Sequence, residues 1–286
     1  IDEENYPELL KEISDPPIVL FYKGKDILTG NKNICIGIVG TRKMTSYGQE
    51  VTEKIVADLT MAGLTIVSGM ALGIDGCSHK TALDNKGKTI AVLGAGVDII
   101  YPREHTQLYY DILEKGGMIV SEVPPGKFVG KGIFPARNRI ISGLSKAVVI
   151  MEGTEDSGSL ITARLAIEQG REVFAVPGSI NSPYSQGPLS LIKNGAKLIS
   201  SANDILEELG CGGRPVSSAG CLRQIPVSDS PTEQKIIDML QSERREFDDI
   251  VRGLLLSTAD TAAALSLMEL KNQIITKEGK YELNYC

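Results

Sequence analysis

Ile34-Cys35-Ile36-Gly37-Ile38-Val39-Gly40-Thr41-Arg42 is the stretch on which the fold is read: an apolar run, then a glycine, a hydroxyl and a guanidinium. A short continuous apolar run bounded by glycine fits a strand buried on both faces. Tyr47–Met61 follows with Val51, Ile55 and Leu59 at the spacing of one helix face, and Ala62-Gly63 ends it with a residue that tolerates the left-handed cap. The same unit recurs downstream. Strands are expected at Leu64–Ser68, Thr89–Leu93, Met118–Ser121, Ala147–Met151 and Glu172–Val176, and helices near Asp75–Asp84, Glu104–Lys115, Ile140–Leu144 and Ser159–Gln169. Doubly buried strands alternating with helices predict an α/β fold with a mostly parallel sheet.

Outward from this core the organisation changes. Upstream stand a short helix at Tyr6–Ile13, then Pro16-Pro17 and a strand-like Ile18–Tyr22. Residues 211–230 are rich in Gly, Ser and Pro and read as a linker between an α/β domain over 15–210 and a tail over 231–286. In that tail Thr232–Gln241, Phe247–Leu254 and Thr261–Lys271 read as helices, and Ile274–Leu283 as a hairpin turning at Gly279, a winged-helix-like set.

The 286 residues are 42% hydrophobic and 23% charged, ordinary globular usage that excludes wholesale disorder. No run of 18 apolar residues suggests a bilayer span, and the start has no basic-then-apolar leader. The chain opens at Ile1, as a piece of a longer protein would. Its five cysteines form no CxxC pair, so free thiols and a cytoplasmic location are expected, although a Cys211–Cys221 bridge is possible by loop length. With two histidines, His79 and His105, multi-histidine metal sites and most triads are disfavoured, and no metal is expected. His79 is expected to pack or brace rather than act as a base.

Three strand ends carry polar, glycine-containing turns: Gly40-Thr41-Arg42, Ser68-Gly69-Met70-Ala71, and Glu152–Ser159 with Ser157-Gly158-Ser159. Such turns, at helix N-termini, suit an anion, or else serve as tight strand–helix connections. Neither GxGxxG nor a Walker A sequence occurs, so no nucleotide cofactor is expected. Glu152, Glu155 and Asp156 read as carboxylates at the N-terminus of the helix from Ser159. The net charge of −6 argues against nucleic acid, but from Pro124 to Lys146 five cations stand with no acidic residue. Within this stretch Lys131, Arg137 and Arg139 could neutralise phosphates beside Asn138, and Phe134, expected to be extended before Pro135, could face a base.

Taken together, Gly37–Arg42, Ser68–Asp75 with His79, Ala91–Gly96 running into Tyr101-Pro102, Ser121-Glu122, Phe134–Ile141, Ser157–Ala163 and Val176–Gly178 resemble the DNA-processing protein A family (DprA/Smf), in order and at family spacing from about Pro16 to Leu209. The resemblance implies an extended Rossmann-like domain that binds single-stranded DNA without catalysis and loads RecA recombinase onto incoming strands in natural transformation. It also implies a homodimer. Carried over by motif, the DNA contacts would be Arg42 with Gly40 and Thr41, the backbone at Gly69, Met70 and Ala71, then Lys131, Arg137, Asn138 and Arg139, the Ser157-Gly158-Ser159 turn, and Phe134 on a base. The helical domain that often comes first is missing or reduced to residues 1–14. The tail from Pro231 has seven basic against ten acidic residues, and Thr258–Leu270 has no Lys or Arg, so a protein-interaction module is expected there rather than a duplex reader. The alternative is a phosphoribohydrolase-like enzyme of a related fold; Arg164 is present, but the catalytic Glu such an enzyme needs after the glycine turn is not.

Overall fold

The computed structural model describes residues 1, 6–28, 33–128, 133–211, 230–242, 245–254, 257–271, 273–277 and 280–283. They divide into two compact units, Ile1–Val216 and Ser217–Cys286.

In the larger unit, β1 (Phe21–Gly24), β2 (Cys35–Val39), β3 (Thr65–Ser68), β4 (Thr89–Val92), β5 (Met118–Ser121), β6 (Ala147–Ile150), β7 (Glu172–Ala175) and β8 (Lys197–Leu198) form one sheet. Its order is β1-β5-β4-β3-β2-β6-β7-β8. Every pairing is parallel except that of β1 with β5. The helices are α1 (Glu8–Lys11), α2 (Ser46–Met61), α3 (Ile74–Asp84), α4 (Thr106–Glu114), α5 (Ile133–Leu144), α6 (Gly158–Glu168), α7 (Gln186–Lys193) and α8 (Ala202–Glu208). β2 to β6 are buried along their whole length, as their apolar runs predict. Alternation within β2 sorts the two faces. Ile36 and Ile38 join Ile55 and Leu59 of α2, whereas Cys35 and Val39 join Ile140 of α5 and Ala163 of α6. Burial pushes the Cys35 thiol up to about 12, so it packs as an apolar group.

Residues 6–13, expected as a remnant or linker, pack into the second of these clusters. Leu10 is fully buried, and the Tyr6 hydroxyl donates to the Pro17 carbonyl at 2.6 Å. Two expectations change. The strand near Ile18 begins at Phe21, leaving Ile18 and Val19 exposed. The helix before β6 begins at Ile133 rather than Ile140, so Arg137 and Arg139 sit on a helix and not on a loop. Pro135 lies in its first turn, where a missing N–H removes no helical hydrogen bond. Phe134 is therefore helical, and its expected extended conformation is overturned.

The smaller unit contains α9 (Pro231–Ser242), α10 (Phe247–Leu254), α11 (Thr258–Leu270), and a sheet in which β11 (Lys280–Leu283) lies between β10 (Ile274–Lys277) and β9 (Arg245–Glu246). Ile236, Ile237, Leu240, Ile250, Leu265 and Ile274 form its core. The expected turn residue Gly279 falls outside the described residues. Ala259, Ala262, Ala263, Ser266 and Leu267 are exposed on α11, a face without cations.

Among the described residues no single helix is long and apolar enough to cross a membrane.

His79 lies fully buried on α3, its Nδ1 2.7 Å from the Thr89 hydroxyl of β4, a bracing role. Burial, with the His105 and Arg137 charges adding, lowers its pKa from 6.5 to about 3. The folded protein thus keeps it neutral while the unfolded chain protonates it below 6.5. Its contribution to stability is complete above that value and is lost as pH falls towards 3. In urea unfolding measured across this window, His79→Gln is expected to flatten the pH dependence by up to about 1.4 kcal/mol per pH unit. Parallel wild-type and variant profiles would contradict the assignment.

Candidate nucleic-acid interface

From β2 the chain winds outward through β3, β4 and β5 on one side, and through β6, β7 and β8 on the other. β2 and β6 are therefore neighbours whose following helices leave on opposite faces. α2 packs with the Ile36 face and α6 with the Val39 face. A crevice opens at the carboxyl ends of such a pair, because no connection crosses there. It holds a cavity of about 290 Å³ lined by the turn after β2, the turn after β6 with the start of α6, the middle of α5, and Ala71 and Asp75 after β3.

After β2, Gly40 is set by packing: a Cβ there would lie 2.6 Å from Ile74 Cγ1. The Thr41 N–H donates to the Glu152 carbonyl at 2.7 Å, its carbonyl accepts the Ile74 N–H at 3.2 Å, and its hydroxyl accepts the Lys43 N–H at 3.1 Å. Arg42 and Lys43 are exposed. After β6, Ser157 caps α6. Its hydroxyl pairs with that of Ser159 at 2.7 Å, and Asn138 Nδ2 donates to the Gly158 carbonyl at 3.4 Å. Here the Ser159 N–H is taken by the Ser157 hydroxyl at 3.4 Å and the Leu160 N–H by the Ser157 carbonyl at 3.0 Å, so this end of α6 offers an anion its dipole and the two serine hydroxyls.

The turn after β3 differs from the expected cradle. The Asp75 carboxylate, fully buried on α3, already accepts the N–H groups of Gly69 at 3.1 Å and Ala71 at 3.3 Å. These two donors are unavailable to a ligand, and Met70 between them is held left-handed at φ 61°. His105 adds a hydrogen bond between its Nδ1 and the Met70 carbonyl at 2.9 Å. Burial raises the Asp75 pKa, opposed by Arg137, the two N–H groups and Ser68.

Arg137 is the buried cation of the crevice, 6% exposed. Its Nη1 donates to the Val92 carbonyl at 2.6 Å, while its Nε has no hydrogen-bond partner. Burial pulls its pKa down, against Asp75, which raises it; Arg42 also lowers it. A guanidinium remains charged through such a shift, so the crevice has a fixed positive wall. The Arg137 guanidinium passes directly under Gly69, where any Cβ would collide with it.

Gly40, Thr41, Arg42, Ala71, Arg137, Asn138, Ser157, Gly158 and Ser159 thus meet around one cavity. Gly69 and Met70 line an adjoining cleft that shares Arg42, Ala71 and Arg137. Arg139 lines neither: its guanidinium is held by Asp15 at 3.1 Å and Glu122 at 2.7 Å, carboxylates distant in sequence. Lys131 and the side chain of Phe134 lie outside the described residues. The carboxylate of Glu152, expected to cap α6, instead accepts from Thr45 at the start of α2.

Sequence reasoning missed Lys43, Tyr101 and Phe128. The two rings stand edge to face, 5.8 Å between centroids at 81°, on the wall of the adjoining cleft. Both are substantially exposed, Phe128 at 64%. The signal was the Tyr101-Pro102 pair and the first of the two aromatics in the basic stretch. Among the described residues no group of three His, Cys, Asp or Glu could hold a metal, and Cys35, Cys77 and Cys211 are free thiols.

Comparison with known proteins agrees with this architecture. The DNA recombination-mediator protein A family profile matches residues 1–210, and a DprA winged helix domain profile matches 223–280. The chain is 53% identical over 209 residues to the DNA processing protein DprA of Bacillus subtilis, covering 73% of this chain and 70% of that one. It is 40% identical over 309 aligned positions to the protein Smf of Synechocystis, covering 97% and 77%. Its fold matches the X-ray structure of DprA from Streptococcus pneumoniae with a TM-score of 0.68 at 44% identity over 73% of this chain and 72% of that one. It also matches the DNA processing protein A of Helicobacter pylori, a structure concerned with that protein's single-stranded DNA binding mode, with a TM-score of 0.64 at 32% identity over 72% and 94%. This chain belongs to the DNA recombination-mediator protein A family, the DprA/Smf proteins, and carries their winged helix domain.

Proposed function

We propose that the larger unit binds single-stranded DNA, with a backbone phosphate in the crevice between β2 and β6 and a base against the Tyr101–Phe128 wall. The observation that carries this reading is the meeting of the α6 N-terminus, the Ser157 and Ser159 hydroxyls, exposed Arg42 and buried Arg137 around one cavity. Fixed cations, hydroxyls and a helix-end dipole recognise a phosphate without reading sequence. Exposed aromatic rings beside them offer a stacking surface that any base can use, and that suits a single strand, whose bases are not enclosed in a duplex. The similarity to the Helicobacter pylori protein supports the same ligand.

The reading is of a stoichiometric binder rather than an enzyme. Asp75, the buried carboxylate that lines the crevice, is engaged by the Gly69 and Ala71 N–H groups, and Glu152 by the Thr45 N–H and hydroxyl, which leaves both poorly placed as an acid or base. From the family we carry over presentation of the strand to RecA recombinase, a homodimer and a cytoplasmic setting. The cation-free face of α11 supports a protein partner for the winged helix domain rather than duplex DNA.

Titration of labelled oligo(dT) at several salt concentrations tests the pocket, with duplex of equal length as control. Arg42→Ala and Lys131→Ala are each expected to flatten the log–log salt slope by about 0.7, one phosphate contact. Unchanged slopes in both would remove the assignment. Tyr101→Ala and Phe128→Ala are expected to weaken binding by roughly 5- to 150-fold, the value of about 1–3 kcal/mol for one stacked base, with the slope unaltered. A flattened slope without that loss would mean that the rings support the cations and do not touch a base.

A further inference from the structure

One buried residue ties down both ends of the loop that carries Arg42, one end through its main chain and the other through its side chain. The Glu152 main-chain carbonyl accepts the Thr41 N–H at 2.7 Å. Its carboxylate accepts the Thr45 N–H at 2.9 Å through Oε2 and the Thr45 hydroxyl at 2.6 Å through Oε1. Arg42 and Lys43 project from the span between these anchors. Glu152 is 3% exposed and lies two residues beyond β6, which is paired with β2 on one side and β7 on the other. The loop is therefore fastened to a buried residue at the root of the turn that leaves a central strand.

Two further features serve this contact. Because the Thr45 hydroxyl gives its proton to Glu152, its lone pair faces the Gly48 N–H, which it accepts at 3.1 Å as the cap of α2. Gly48 lies directly against the carboxylate, and a Cβ there would overlap it. The first turn of α2 thus contains glycine, a poor helix former, at the place where a Cβ would overlap Glu152. A buried negative charge beside the loop that carries Arg42 opposes a phosphate ligand by simple electrostatics, so its presence calls for another explanation.

We infer that Glu152 is a positioning residue for DNA binding: its carboxylate clamps Thr45 while its main chain holds Thr41, so that Arg42 is kept at the crevice rim, and the side chain acts on the phosphate only through that guanidinium. The inference rests on the phosphate reading of the crevice. It opposes the electrostatic expectation, in which removing a carboxylate strengthens DNA binding and leaves the count of phosphate contacts unchanged.

The test is a double-mutant cycle on the full chain, with oligo(dT) affinity and salt slope measured for wild type, Arg42→Ala, Glu152→Ala and the double variant. Glu152→Ala, which removes the Thr45 anchor and leaves the main-chain one to Thr41, should weaken binding and flatten the slope by at most the 0.7 or so lost in Arg42→Ala, although no cation has been removed. The double variant should bind no worse than the weaker single one. Thr45→Val, which removes only the hydroxyl, should give a smaller loss that vanishes in the Arg42→Ala background. It carries the test alone if Glu152→Ala does not fold. Multiplicative losses, or wild-type or tighter binding by Glu152→Ala, would overturn the positioning role while leaving the phosphate site standing. If Arg42→Ala itself binds as wild type does, the phosphate reading fails first and the inference goes with it.

Discussion

The adjacency of β2 and β6 is the constraint on which the rest of the α/β unit depends. Two parallel strands that are neighbours in space but far apart in sequence send their helices to opposite faces, so their carboxyl ends meet with nothing bridging them. The gap is lined by what each strand end must carry to start a helix: caps, hydroxyls and the helix-end dipole. Because both strands are buried along their length, the turns that follow them have little freedom to drift.

A crevice with buried polar walls needs internal compensation, and Asp75 supplies much of it. Its carboxylate fills the backbone nest at Gly69–Ala71 where an external anion would otherwise fit. It also balances Arg137, whose guanidinium runs beneath Gly69. The chain thus has its own anion at the β3 turn, while the β6 turn keeps the Ser157 and Ser159 hydroxyls and the α6 dipole for a ligand. Of three similar strand ends, one is internally satisfied and two remain open. Glu152 makes the corresponding use of a carboxylate beside the open pair, satisfied by Thr45 rather than by a ligand.

Much of this was legible in the residues. The apolar runs of the parallel strands, the helical spacing of Val51, Ile55 and Leu59, and the polar turns at the strand ends all appear where the periodicity put them. Short-range rules failed at α5, where Pro135 was read as enforcing an extended Phe134; in the first turn of a helix the missing N–H carries no cost. Arg139 was read as free because no acid lies near it in sequence, yet Asp15 and Glu122 reach it through the fold. Tyr101 and Phe128 are 27 positions apart by their numbering, and no pattern in the chain announces that their rings touch.

The sequence by itself determined the α/β class, the winged-helix-like tail and the set of strand ends at which an anion can be held, because these follow from local periodicity and turn chemistry. Only the tertiary structure decided which of those ends face each other, which donors are already spent and which charges are paired. The partners of Asp75, Arg139 and Glu152 are fixed by strand order and helix packing. A carboxylate's role depends on what the fold brings within 3 Å or so of it, a distance over which hydrogen bonding is decided.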